Sequence, residues 1–185
     1  MPPPGSASGD GTMKRVGSSA VAAMALALSG CAGPVETLAG GTGPVPANLT
    51  VAVMAAPDLN GPAIEQARAA VAAALAGQGY VVAPQAQAVV TVGLAEREAV
   101  TAVTAPGGTI SAAKRQRLLQ NCADRTQRVT LAFYTTPDAE PVRAFAEEHH
   151  CKAALADDLP ALAARAVDGL LHPGDPRVTT RLSRD

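Results

Sequence analysis

The order of its segments assigns this chain to the α+β class, as a two-layer sandwich in which two helices cover one face of a mostly antiparallel sheet. Three observations carry that assignment. Ile64, Ala67, Val71 and Leu75 recur at helical spacing, with Glu65 and Arg68 off the stripe. Val90, Val92 and Leu94, and later Val129, Leu131 and Phe133, alternate with small or polar neighbours, which is the period of a half-buried strand. Leu159, Leu162, Ala163, Ala166, Val167 and Leu170 then form a second helical stripe that closes the chain.

Taken in order, Leu49 to Met54 is β-branched and apolar on both sides, a buried strand that stops in the turn chemistry of Pro57 to Pro62. Pro62 suits the first turn of the helix that follows, and Gly77 or Gly79 suits its end. Tyr80 to Ala83 is a short strand. Ala88 to Val100 is a longer one, turning polar at Glu96, Arg97 and Glu98. Pro106-Gly107-Gly108 marks a turn, and Ser111 to Gln120 reads as a loop with partial helix. Arg128 to Thr135 and Val142 to Glu148, joined through Pro137-Asp138-Ala139-Glu140-Pro141, make the clearest hairpin in the chain. Asp157 or Asp158 is expected to cap the last helix, with Pro160 in its first turn and His172-Pro173-Gly174 at its end.

Composition narrows what such a domain does. Hydrophobic residues make up 48% of the chain but aromatic ones only 2%, so the core is built mostly from Ala and Val and is thin. The formal net charge is −1, which creates no field to draw nucleic acid. No apolar run after Cys31 approaches the roughly 20 residues that a spanning helix needs.

The N-terminal quarter has a different logic. Met13-Lys14-Arg15 is a positive start, and Val16 to Leu28 is an apolar stretch too short to cross a bilayer. Small residues follow up to Cys31. Leu28-Ser29-Gly30-Cys31 resembles the lipobox of bacterial lipoproteins. That resemblance implies a signal peptide over residues 1–30, cleavage before Cys31, and diacylglycerol on its sulfur with acylation of the freed amine, a palmitate-type anchor. Residues 1–12 are Pro, Gly and Ser rich and add nothing to a leader, so translation starts at Met13 or this stretch is an extension. Ala32 stands where the family's sorting pattern carries Asp for inner-membrane retention, which implies the outer membrane, facing the periplasm. Residues 31–48, rich in Gly and Pro, read as a flexible tether reaching roughly 20 to 25 Å. Residues 49–172 form the domain, and 173–185 a mobile tail.

The domain itself is similar to a family of small Gram-negative lipoproteins carrying a domain of unknown function. The residues that bear this likeness are the Ala-rich first helix running into Gly79-Tyr80, the Ala88-Val89-Val90-Thr91-Val92 strand, the Val129-Thr130-Leu131 hairpin, and the closing Ala166-Val167-Asp168-Gly169-Leu170-Leu171 helix. Trp, which that family often places in the returning hairpin strand, is absent from this chain.

Candidate chemistry is sparse. His149-His150-Cys151, with Glu147 and Glu148 before it, is the one cluster of metal-ligand or nucleophile types. Strand alternation lets His149 share a face with Cys151 but not with His150, so no metal site, cofactor or catalytic residue is expected. Glu96 and Glu98 read as solvated rim, and Lys114, Arg115 and Arg117 as a solvated basic loop. With Cys31 lipidated in an oxidising compartment, Cys122 and Cys151 remain as an even pair and are expected to form a disulfide. The functional expectation is a non-catalytic envelope lipoprotein that binds or supports an envelope protein or component, its membrane contact made through Cys31. Two alternatives stand beside it: a small periplasmic hydrolase or metal-dependent enzyme centred on His149 and His150, and an accessory factor in outer-membrane assembly.

Overall fold

A computed structural model of the chain describes residues 34–115, 123–151 and 155–182. The leader, Cys31 and Cys122 lie outside them. Along the chain run β1 (Pro34–Gly41), β2 (Thr50–Ala55), α1 (Pro62–Gly77), β3 (Val81–Val82), β4 (Ala88–Glu98), β5 (Val103–Ala105), β6 (Gly108–Ser111), β7 (Asp124–Tyr134), β8 (Val142–Cys151), α2 (Leu155–Leu171) and β9 (Gly174–Leu182). Among the described residues, seven strands make one sheet in the order β3-β2-β4-β7-β8-β1-β9, and β5 with β6 forms a separate hairpin. β2 is parallel to β3 and β4, whereas β4–β7, β7–β8 and β8–β1 are antiparallel. The fold is therefore α+β with a mixed, mostly antiparallel sheet.

The core follows from the register. Ala55, Val92, Leu131, Ala144 and Gly41 stand in one row across five strands, and Leu94, Val129, Ala146 and Ala39 stand in the next usable row on the same side. Small residues on β8 and β1 and larger ones on β4 and β7 give this core side its relief. α1 packs on β2 and β4, α2 packs on β8, β1 and β7, and the helices touch each other. Ile64, Ala67, Val71 and Leu75 of α1 are buried as their spacing predicts, and so are Leu159, Leu162, Ala163, Ala166, Val167 and Leu170 of α2.

Three expectations are corrected. The tether read over 31–48 gives way at Pro34, where β1 begins. Val35 and Thr37 are buried, and β1 pairs with β8 from Thr37↔Glu148 to Gly41↔Ala144. Its glycines serve close approach instead of flexibility. A Cβ on Gly41 would lie 2.0 Å from the Gly169 carbonyl oxygen, and one on Gly169 would lie 3.0 Å from that of Gly40, so α2 and β1 meet backbone to backbone. The tail read over 173–185 likewise becomes β9 from Gly174 to Leu182, beside β1 at the sheet edge. Its described side chains are exposed, so it is held by ladder hydrogen bonds and carries no burial pattern to be read. Finally, α2 starts at Leu155. Asp157 and Asp158 therefore stand inside its first turn, where the helix dipole favours carboxylates, and do not cap it. Among the described residues no helix is long and apolar enough to cross a membrane.

Candidate functional site

Strand alternation sends the polar ends of β4, β7 and β8 to two sides of the sheet. The outer side, opposite the core rows, carries Thr91 and Gly93 of β4, Thr126, Arg128 and Thr130 of β7, and Phe145, Glu147 and His149 of β8. Glu147 is 3% exposed and accepts hydrogen bonds from Ser111 at 2.7 Å and Arg128 at 3.1 Å, with the Arg97 guanidinium at 4.0 Å. Arg128 also donates to the Ile110 carbonyl at 3.0 Å and lies 4.0 Å over the Phe145 ring. Arg97 donates to Ser111 and to the carbonyls of Thr101 and Ala112. These bonds bind the β5–β6 hairpin to the outer side, because a buried carboxylate needs paired, hydrogen-bonded cations around it.

Beside that hairpin the outer side opens into a cavity of about 650 Å³, with Thr91, Gly93, Thr130 and Ala132 on its floor and Ile110, Tyr134, Arg143, Phe145 and Pro176 around it. Gly93 keeps the floor low, since a Cβ there would lie 2.4 Å from the Thr130 hydroxyl. Arg143 is exposed at the rim. The volume suits a small ligand or a short peptide segment.

On the core side the same strand ends bury a second polar group. Glu148 and His150 follow Ala144 and Ala146 on the face that packs against α2, and Asp158 meets them from the first turn of that helix. His150 Nε2 lies 2.9 Å from Glu148 Oε2, and Nδ1 lies 3.4 Å from Asp158 Oδ2. Thr37 donates to the other Glu148 oxygen. His150 is 4% exposed and Glu148 1%. Gln127 stands directly opposite Glu148 on β7, is fully buried, and has neither its amide nitrogen nor its oxygen hydrogen-bonded.

His149 and His150 thus serve different sides, as alternation requires, and a single centre cannot use both rings. His149 Nδ1 lies 2.9 Å from the Thr126 hydroxyl. Burial pushes its pKa below the usual imidazole range; Glu147 opposes that, Lys114 and Arg97 reinforce it, and Asp124 opposes it. Cys151 pairs with Asp124 at the end of the β7–β8 ladder, so the expected partner Cys122 falls just outside the described residues. In the basic run, Lys114 is half-buried and pairs with Asp124 at 2.8 Å, while Arg115 is exposed; Arg117 lies outside the described residues. Glu98 is exposed rim, and Glu96 pairs with Arg125. In the sequence Gln127 passes unnoticed, Glu148 stands only as a neighbour of the histidine pair, and Asp158 only as a cap candidate. The first two were within reach, because they continue the alternation of Val129 with Leu131 and of Ala144 with Ala146.

No protein-family profile and no curated protein matches the chain. Among solved structures it is similar to a PelC point variant, a dodecamer from Paraburkholderia phytofirmans, at 18% identity and a TM-score of 0.47, covering 74% of this chain and 97% of that one. A second PelC dodecamer from the same organism gives 16%, 0.46, 74% and 98%. A PDZ domain protein from Parabacteroides distasonis gives 9% identity and a TM-score of 0.49 over 85% of this chain, which spans 41% of that protein.

Proposed function

We propose that this chain is a non-catalytic binding module, anchored by lipid on Cys31 to the outer membrane on its periplasmic side, and that it takes a segment of an envelope protein or other envelope component into the outer cavity. The observation that carries the reading is the cavity itself. Its floor is made of small side chains, and Arg128 beside it is engaged in fixing the hairpin wall while Arg143 stands exposed at the rim, which is the construction of a preformed receptor. In this reading both helices lie on one face of the sheet as a two-layer sandwich. Supporting this, they touch each other and their stripes share one cluster with Val90, Val92, Leu131 and Ala146. The likeness to small Gram-negative lipoproteins and the lipobox stand with this proposal, resting on the residues quoted for them.

A photo-crosslinking side chain placed at Thr91 or at Arg143 in the full chain, in its own membrane, should give a discrete crosslinked product, and one at Glu65 on the exposed side of α1 should not. A β-barrel protein as that product would make the module an accessory of outer-membrane assembly. No product from either cavity position, or the same product from Glu65, overturns the proposal. The anchor is checked separately: Cys31→Ala should abolish palmitate labelling and leave a precursor of higher mass. Undiminished labelling of that variant removes the lipoprotein reading.

A further inference from the structure

We infer that Glu148, His150 and Asp158 form a divalent metal site of the zinc class, closed between the end of the sheet and the first turn of α2. It is independent of the outer cavity, which lies across the sheet.

The three residues come from two elements and place one ligand atom each within 4.8 Å of the others. Their types suit zinc, which takes imidazole nitrogen and carboxylate oxygen. The ring geometry adds a second point. Both nitrogens of His150 face carboxylate oxygens, and carboxylates only accept, whereas a neutral imidazole donates from one nitrogen. An ion taken by one nitrogen, with the other N–H donating to a carboxylate, is how metal-binding histidines are commonly held.

The independent observation is Gln127. A fully buried primary amide with no hydrogen bond is costly, and this one sits in register against Glu148, on the side of the sheet where the trio lies. Its carbonyl oxygen is an unclaimed donor in the row that Glu148 occupies, and would be available to an ion held by the trio. Thr37, on the far side of Glu148, binds the carboxylate's other oxygen and fixes its plane.

The test uses the detergent-solubilised full chain, stripped of metal, with Zn²⁺ alone as probe. Titration calorimetry and elemental analysis should find one ion per chain, and Zn²⁺ should raise the melting temperature. Asp158→Asn and His150→Gln should each weaken binding at least about tenfold, while His149→Ala, on the opposite side, should leave it within about twofold. Circular dichroism of metal-free Asp158→Asn keeps loss of binding separate from loss of fold, because that side chain sits partly open in a first helical turn. Substoichiometric Zn²⁺ with no change in melting temperature overturns the site. So does binding that survives Asp158→Asn and His150→Gln or disappears with His149→Ala.

Discussion

Glu147 shows how much rests on single residues at this sheet end. It takes Ser111, Arg128 and Arg97 around one buried carboxylate, and each of those partners reaches the β5–β6 hairpin or lines it. Removing the carboxylate leaves Arg128 and Arg97 desolvated without their counter-charge, a loss of about 3 to 5 kcal/mol for a buried pair. Glu147→Ala should therefore lower the urea midpoint strongly and expose the hairpin to protease near Pro106-Gly107. A loss below about 1 kcal/mol would mean that solvent replaces the partners, and that the hairpin is held by something else. Arg128→Lys should also destabilise, by less, because a shorter, unforked ammonium keeps a charge near Glu147 but does not reproduce both the stacking on Phe145 and the bond to Ile110.

At the scale of elements, β1 is the clearest case of a strand with a hidden reason. Gly41 and Gly169 allow backbone contact with α2, so Gly41→Ala should force strand and helix apart and cost about 1 to 3 kcal/mol, read as a lowered melting temperature. Gly77→Ala, where a Cβ meets nothing within 4 Å, should cost far less. That contrast also explains what could be read in advance. α1, α2, β4 and the β7–β8 hairpin were legible because each buries one periodic face. β1 was hidden because Val35, Thr37 and Ala39 alternate among glycines and prolines, which by composition signal a linker. β9 was hidden because exposed strands carry no apolar period. The trio on the core side was half legible: alternation beyond Ala146 places Glu148 and His150 inward, but Asp158 joins them only because α2 begins at Leu155, two residues before Asp157, the first of the two capping candidates.

For the whole molecule, one covalent link is expected to matter more than any single contact. On the proposed lipoprotein reading, the three cysteines leave Cys122 and Cys151 once Cys31 is lipidated, and the β7–β8 register sets Cys151 opposite Asp124, two residues from Cys122. A bridge there closes a loop of about 30 residues, worth roughly 3 to 4 kcal/mol in the chain-entropy account. That is a large share for a domain whose core is mostly Ala and Val. Non-reducing peptide mapping of protein taken from the envelope should recover a linked pair of tryptic peptides. Two alkylatable thiols in the same sample would contradict it.

The place of β1 has a mechanical meaning as well. Between Cys31 and Pro34 there are three peptide steps, a reach of at most roughly 11 Å, where the sequence read as a tether of twice that length. A lipid on Cys31 would then have almost no slack, and any force between membrane and bound partner would enter the domain along β1. That strand lies between β8 and β9, so a pull along its axis loads its ladders in shear, with many hydrogen bonds resisting together instead of opening one at a time. On the proposed lipoprotein reading, the segment that composition marks as a leash would be, in mechanical terms, a fixed mount, holding the cavity side of the sheet close above the bilayer.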